Sequence, residues 1–197
     1  MQPTQAHTSI QPGDYDIDPE RTTIRFRTRH MFGLGPVRGT FAVRSGAVSV
    51  TDPVDGSAVY AEIDAASFHT GNPQRDRAVL QRRHLDAARH PVITFAAHGT
   101  DPVAGTINGT LTVRGVERPV TLVISSAEPA GPEVAVTGSI HIDRFDFGLT
   151  AMRGMVGRRL DLELSAICVA RVPSQRGASK HGTGQDPAGQ NGGRDHG

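Results

Sequence analysis

Residues 107–124, INGTLTVRGVERPVTLVI, form two runs of alternating apolar and other residues joined by a charged turn. The positions that share one face within each run are Ile107, Gly109, Leu111, Val113, Val120, Leu122 and Ile124. Period-two alternation is typical of β-strands, because successive side chains leave opposite faces of the pleat. The sequence between the runs, residues 114–118, contains a glycine suited to a turn, and Pro119 can begin a strand without donating an N–H. The stretch therefore predicts an antiparallel hairpin.

The same alternation recurs along the chain between turn signals such as Gly46 and the Asp52-Pro53…Asp55-Gly56 segment. Strands are predicted at residues 14–18, 23–29, 37–43, 47–50, 58–64, 92–97, 134–142 and 160–169, besides the hairpin. Many short, regularly spaced strands favour an all-β protein, either a sandwich or a barrel.

One segment departs from the strand pattern and predicts a helix at residues 73–83. Pro73 fits a first helical position, and Asp76 in the first turn favours the positive end of the helix dipole. A second short helical turn is expected after Arg144, where Arg-Phe-Asp-Phe-Gly interrupts the alternation.

Length and composition predict one domain with two tails. The chain has 197 residues, of which 37% are hydrophobic. Residues 1–12 are polar and predict a flexible N-terminal arm. Residues 173–197 have almost no apolar side chains to offset the entropy of ordering, so they predict a disordered C-terminal tail. The folded barrel domain is then expected at residues 13–172.

Charge, cysteine usage and hydropathy exclude several classes of protein. The formal net charge of +1 gives no electrostatic argument for nucleic acid as a partner. The single cysteine, Cys168, cannot form an intrachain disulfide and is expected to be buried as a small apolar residue. The first residues lack the charged and apolar regions of a secretory signal, and no segment is apolar enough to span a bilayer. A cytoplasmic protein without an integral membrane segment is expected.

A search for catalytic and metal motifs finds none. The nine histidines show no ligand spacing, and the chain lacks both a GxSxG elbow and a GxxxxGK[ST] loop. We therefore expect no metal and no cofactor. The stripe of Arg25, Arg27 and Arg29 is interpreted as a solvated outer strand face, because no aromatic residues interleave it.

The interior of the predicted barrel leaves two alternatives open. A closed barrel of about eight strands is either filled by its own side chains or holds one small ligand. The apolar faces that would form its wall contain Phe26, Phe41, Ile63, Phe95, Leu111, Leu122, Ile140, Ile142, Leu162 and Leu164.

A series of short motifs in order resembles the YceI-like family, bacterial lipocalin-like barrels that bind polyisoprenoid and related long-chain lipids. The motifs are YDID (15–18), IRF (24–26) with His30, VRGTF (37–41), Thr70 with Asn72, RD (75–76), HLD (84–86), PVITF (91–95), GTLTVRGV (109–116), PV (119–120) and RFDFG (144–148). They cover nearly the whole of the expected folded unit.

The resemblance implies an extended antiparallel lipocalin-like β-barrel with one short helix over an end. It also implies a hydrophobic tunnel that binds a polyisoprenoid, quinone-like or fatty-acid-like lipid, as a carrier or storage protein and not as an enzyme. It permits a homodimer. The ligand-binding residues expected from the apolar faces and the resemblance are Phe26, His30, Phe41, Ile63, Arg75, Phe95, Leu111, Leu122, Ile142, Arg144, Phe147 and Leu162. Of these, Arg75, Arg144 or His30 would meet a polar head group at the tunnel mouth.

Two other hypotheses carry distinct structural consequences. An enzyme acting on a small lipophilic substrate would use Arg75, Asp76 and His30 as acid–base groups, which requires the three to converge in one pocket. An interaction module that uses the barrel only as a scaffold would need an exposed apolar patch outside the lumen.

Overall fold

The computed structural model describes residues 10–30, 35–152 and 156–172, and these form a sheet of nine antiparallel strands. The strands are β1 (Gly13–Ile17), β2 (Thr23–His30), β3 (Gly35–Val50), β4 (Ala58–Asp64), β5 (Val92–Asp101), β6 (Thr106–Val113), β7 (Val116–Ala130), β8 (Glu133–Asp143) and β9 (Arg159–Ala170). One α-helix, α1 (Pro73–Val79), and two 3₁₀ turns, Val54–Gly56 and Ala65–Ser67, complete the regular structure of these residues.

The sheet closes into a barrel of eight positions, because β3 and β4 pair and β1 and β2 share one position between β3 and β9. In β2, Phe26 lies opposite Gly39 of β3 and Leu162 of β9. In β1, Tyr15 pairs with the later parts of the same two strands. The prediction of an all-β, antiparallel, lipocalin-like barrel with one short helix is confirmed.

The two ends of the barrel differ in their connections. We call residues 65–91, which include α1, the cap. Together with residues 144–152 the cap covers one end of the barrel, the cap end. The opposite, far end carries the short connections at residues 51–57, 102–105 and 131–132. This difference places most of the non-strand polar residues of the barrel at the cap end.

The cap is held on the first half of β3, whose outer edge extends beyond the end of β4. Thr40 and His69 exchange two backbone hydrogen bonds, of 2.9 and 3.1 Å between nitrogen and oxygen. Inside the barrel, the ring of Phe68 from the cap stacks on Phe26 at 5.1 Å and meets Phe41 edge-on at 5.4 Å between centroids. Backbone pairing and aromatic packing together fix the cap over the lumen.

The helix is shorter than the predicted 73–83. It begins after Asn72, whose side chain accepts hydrogen bonds from the backbone of the first turn, and it ends at Val79. Beyond it the chain turns back, and the Leu85 N–H donates to the Val79 carbonyl at 2.9 Å. Burial of Leu85 and Ala87 under the cap replaces further helical turns. The helical turn expected after Arg144 is instead a hydrogen-bonded turn at residues 144–148.

Three strands are longer than predicted because each continues through an irregularity in register. The shifts lie between Val43 and Ser45 in β3, between Ala97 and Thr100 in β5, and between Ile124 and Ser126 in β7. An extra residue in one strand reverses the inward–outward alternation and increases the local twist. The alternating pattern therefore stops at these points although the strands do not.

The hairpin of residues 107–124 is confirmed, with a tighter turn than predicted. Only Arg114 and Gly115 lie outside the strands, with φ of 53° and 74°. Positive φ at both central residues gives a turn whose twist matches that of the flanking strands. The second strand thus begins at Val116, and Pro119 lies within it instead of at its start.

Gly39 provides the first test of the packing at the cap end. A Cβ at this position would lie 2.4 Å from the His69 carbonyl oxygen and 2.5 Å from the Phe26 ring. We expect Gly39→Ala to lower the free energy of unfolding by about 1–3 kcal/mol, the usual cost of overpacking. The neighbouring exposed change Arg38→Ala should cost less than about 0.5 kcal/mol. Denaturant unfolding measures both, and equal stabilities of the two variants would contradict this account of the cap.

Candidate functional site

Three cavities follow one another through the barrel and share parts of their walls. A central cavity of about 170 Å³ lies between two of about 420 Å³, one at each end. The central and cap-end cavities share Phe41, Leu85, Arg144, Leu149 and Leu160. The central and far-end cavities share Ile17, Val59, Leu122 and Leu164. The lumen is thus a tunnel along the barrel axis.

The length of the tunnel follows from the strands that form it. The 12 residues of β9, at ~3.3 Å per residue and tilted by ~40°, span about 30 Å along the axis. Small inward residues keep the middle of this path open, such as Ala61 in the central lining. At Gly109 and Gly138 a Cβ would lie 2.7 Å from a backbone carbonyl of the neighbouring strand.

The central cavity has an almost wholly apolar wall. Its polar contributors are Thr22 and Arg144. The remaining lining residues are Ile17, Ile24, Phe41, Val43, Val59, Ala61, Ile63, Leu85, Ile93, Phe95, Leu111, Val113, Leu122, Ile140, Ile142, Phe147, Leu149, Leu160, Leu162 and Leu164. Such a wall suits hydrocarbon better than water, because water in it would find few hydrogen-bond partners.

Arg144 is buried at the junction of the central and cap-end cavities. Its Nε donates to the Gly157 carbonyl at 2.8 Å, and its two terminal nitrogens donate to the carbonyls of Leu149 and Val156. The guanidinium also lies over the Phe145 ring, 4.8 Å from its centroid. These carbonyls compensate for the burial of a group that remains charged at all ordinary pH values. Arg144 thus places a fixed positive charge in the tunnel wall.

Two other basic residues of the cap-end wall have no such compensation. Arg75 of α1 and His84 of the following segment line the cavity. Neither side chain forms a hydrogen bond or ion pair with any other residue that the structure describes. Burial lowers the pKa of His84 below 6.5, and the charges of Arg144, Arg83 and Arg114 lower it further. The His84 imidazole is therefore kept neutral near pH 7 beside several positive charges.

The far-end cavity contains polar groups whose hydrogen bonds are made within the protein. The Tyr15 hydroxyl donates to the Gln11 carbonyl at 2.7 Å, and the Thr100 hydroxyl donates to the Val54 carbonyl at 2.8 Å. Cys168 also lies in this wall, where burial raises the pKa of its thiol. This end of the tunnel therefore presents a mostly apolar surface with satisfied polar groups.

Eleven of the twelve sequence-predicted site residues line the tunnel. The side chains that line its central or cap-end part are Phe26, Phe41, Ile63, Arg75, Phe95, Leu111, Leu122, Ile142, Arg144, Phe147 and Leu162. The side chain of His30 lies outside the described residues. Whether these residues bind a ligand stays a prediction.

The enzyme hypothesis requires three acid–base residues in one pocket, and of those whose side chains the structure describes, only Arg75 lies in a cavity wall. Arg75 lines the cap-end cavity, but Asp76 does not. The Asp76 carboxylate accepts hydrogen bonds from the Thr70 N–H and hydroxyl and lies 3.3 Å from a nitrogen of His69. Burial acts to raise the pKa of Asp76, yet the bonds from Thr70 and the charges of His69 and Arg75 leave it below 3.8. Asp76 is thus an ionised residue that attaches the helix to the barrel.

Sequence reasoning missed several residues of the site. His84 and Phe68 were not expected in the tunnel, and neither were Leu149 and Leu160. His84 and Phe68 lie in the cap, where no alternation marks the inward side chains. The only sequence signal for His84 was its HLD motif.

Other features of the described residues bear on alternative functions. No three His, Cys, Asp or Glu side chains among them are grouped as metal ligands. No helix in that part of the chain has the length and hydropathy needed to cross a membrane. Its exposed large apolar residues lie on separate elements: Val54, Tyr60, Val103, Val123, Met152 and Val172.

A closed antiparallel barrel with an apolar tunnel defines a lipocalin-like class of protein. The sequence matches the YceI-like domain over residues 15–167, and the chain belongs to this family. A UPF0312 protein of Enterobacter sp. (strain 638) is 29% identical over 169 residues, covering 80% of this chain and 86% of the relative. A UPF0312 protein of Pseudomonas savastanoi pv. phaseolicola is 27% identical over 163 residues, covering 77% and 84%.

Solved structures have the same fold. BcnA of Burkholderia cenocepacia superposes with a TM-score of 0.67 at 19% identity, covering 77% of this chain and 98% of that one. A polyisoprenoid binding domain from Saccharophagus degradans gives a TM-score of 0.63 at 16% identity, covering 82% and 100%. These likenesses establish the barrel architecture.

The environment of His84 predicts a pH dependence of stability. Because its folded-state pKa lies below 6.5, the neutral imidazole stabilises the fold above the unfolded-state pKa, and this contribution is lost as pH falls through the folded-state pKa. We expect His84→Gln to remove this part of the decline in the free energy of unfolding below about pH 6.5. Urea unfolding across pH 5–8 (roughly the range in which histidine titrates) measures it. Arg83→Gln should raise the pKa of His84, as followed by NMR, and parallel stability profiles of wild type and His84→Gln would contradict the assignment.

Proposed function

We propose that this protein binds a long-chain apolar ligand in the barrel lumen, as a carrier or storage protein and without catalysing a reaction. The observation that carries the proposal is the continuous series of apolar cavities along the barrel axis. Polyisoprenoid, quinone-like and fatty-acid-like lipids have the elongated hydrocarbon shape that such a tunnel fits. The polyisoprenoid binding domain of Saccharophagus degradans supports this ligand class through its shared fold.

The energetics of burial are sufficient for binding. Transfer of about 300 Å² of ligand apolar surface from water contributes roughly 7–8 kcal/mol at ~25 cal/mol/Å² before the costs of association. No buried ion pair is needed to reach useful affinity. The tunnel wall consists of strands that are paired with their neighbours, so little ordering of the protein opposes binding.

Several finer expectations from the sequence stay predictions. They are the carrier role, the cytoplasmic location, the lack of nucleic-acid partners and a possible homodimer. The enzyme hypothesis receives less support, because Asp76 is bound to Thr70 outside the cavity walls.

Ala61 provides a direct test of lumen binding. Its side chain lines the central cavity, so Ala61→Leu narrows the path between the two larger cavities. We expect hexadecanol to lose about tenfold or more in affinity, since its distal methylenes are each worth ~0.8 kcal/mol when buried. Octanol, which fits the cap-end cavity alone, should bind the variant as well as the wild type. Isothermal titration calorimetry measures both.

The matched control is Ala96→Leu, the same change on the outer face of the neighbouring strand. It should leave both affinities unchanged. Equal binding of hexadecanol to the two variants would place the ligand outside the lumen. Absence of binding by any apolar ligand, together with purified protein that yields no extractable lipid by mass spectrometry, would contradict the proposed function itself.

A further inference from the structure

We propose that the ligand carries a terminal oxyanion, a carboxylate or a phosphate, and binds with this group at the cap end and its tail toward the far end. The inference rests on the proposed function and adds a head-group class and a direction. The two ends of the tunnel differ in whether their polar side chains already have partners, and this difference is the basis of the argument.

Four polar side chains of the far-end wall form hydrogen bonds within the protein. Tyr15 and Thr100 donate to backbone carbonyls, while Ser57 accepts from the Thr51 N–H at 3.1 Å. Asp101 accepts from the backbone N–H groups of residues 103 and 104. A polar head placed here would gain few new hydrogen bonds and would lie beside an acidic side chain.

The cap-end wall has the opposite character. Arg75 and His84 line the cavity, and neither side chain forms a hydrogen bond with another residue that the structure describes. Nearby, the Nε of Arg114 is the one buried side-chain nitrogen or oxygen of the described residues that has no hydrogen-bond partner. An unsatisfied buried donor is costly, so native structures rarely leave one without a role. The partnerless Nε of Arg114, whose charge acts on His84, together with the basic Arg75 and His84 of the wall, favours an acceptor in this region.

Two acidic residues of the cap end are engaged elsewhere, and the buried Asp86 of the cap does not line the cavity. Asp76 accepts from Thr70, and the Asp143 carboxylate accepts from the Arg158 side chain and the Phe145 N–H. Neither lines the tunnel at this end. Arg144 adds its fixed charge to the same wall. The net field at this mouth of the tunnel is therefore positive and favours an anion.

The wider charge distribution of the connections points the same way. The cap contains Arg75, Arg77, Arg82, Arg83 and Arg89 against Asp76 and Asp86. The connection at residues 51–57 contains Asp52 and Asp55 and no Lys or Arg. An elongated anionic lipid that approaches the barrel is thus oriented with its head toward the cap.

Matched ligands that differ only in the head group test this inference. We expect palmitate to bind at least about tenfold more tightly than hexadecanol, and geranylgeranyl phosphate more tightly than geranylgeraniol, because charge-assisted hydrogen bonds are the stronger ones. The carboxylate and phosphate pairs identify which oxyanion is preferred. Inorganic phosphate alone should bind weakly, since it lacks the tail.

The variant Arg75→Gln tests whether the preference for an anionic head group arises in the cap-end cavity. It should reduce the preference for palmitate over hexadecanol by about tenfold, through weaker binding of palmitate. Arg77→Gln is the matched control, because Arg77 is an exposed arginine of the same helix that lines none of the three cavities. A thermal melt of each variant verifies the fold. If Arg75→Gln does not fold, His84→Gln should likewise reduce the preference for palmitate over hexadecanol.

The pKa of His84 reports directly whether an anionic head group lies beside its imidazole. The charges of Arg144 after β8, Arg83 in its own segment and Arg114 in the β6–β7 turn act on its imidazole. Arg75 of α1 lines the same cavity, and the buried Asp86 lies two residues further along the cap. Palmitate should raise this pKa, as measured by NMR, and hexadecanol should not.

The outcomes separate the two proposals. Equal affinity for acid and alcohol, or equal effects of Arg75→Gln and Arg77→Gln, overturns the oxyanion site and leaves lumen binding in place. If neither hexadecanol nor geranylgeraniol nor the anions bind, both proposals are overturned.

Discussion

The structure depends on β3, the strand that hydrogen-bonds along both of its edges and closes the ring. On one edge it pairs with β2 and then with β1, and on the other it pairs with β4. Where β4 ends, the cap takes over this edge through His69. An open sheet with the same inward apolar residues would expose them to water and leave unpaired edge groups. Closure therefore creates the enclosed lumen and also gives the cap its point of attachment.

Side chains can fill the interior of a closed barrel of this size completely. In this barrel several inward residues are too small to do so. Ala61 lines the central cavity with a small side chain, and a Cβ at Gly109 would already meet Phe95 and the Ala96 carbonyl of the neighbouring strand. Unfilled space is costly, about 24 cal/mol for each Å³ of an apolar cavity. The 170 Å³ central cavity would by this measure cost about 4 kcal/mol. A chain selected only for stability would fill such a space, so its retention favours a role in binding.

The sequence predicts the fold well and the cap poorly, for physical reasons. Each strand with regular alternation was located from its pattern. The predicted strand ends at Val43, Ala97 and Ile124 coincide with the register shifts of β3, β5 and β7. At a bulge the period-two signal reverses although pairing continues. In the cap no period exists, so Phe68 and His84 enter the tunnel from segments whose direction is set by tertiary contacts. The strand-borne part of the wall was predictable, and the cap-borne part was not.

The division between structural and unsatisfied basic residues gives the cap end its chemical character. Arg144 is bound by three backbone carbonyls, so its charge is held in place before any ligand arrives. Arg75 and His84 line the cap-end cavity, and their side chains form no hydrogen bond with another described residue. A preformed charge reduces the reorganisation that accompanies binding, and unsatisfied donors gain most from an acceptor. The apolar tunnel supplies affinity for a chain of suitable length, and this arrangement at one end supplies its direction.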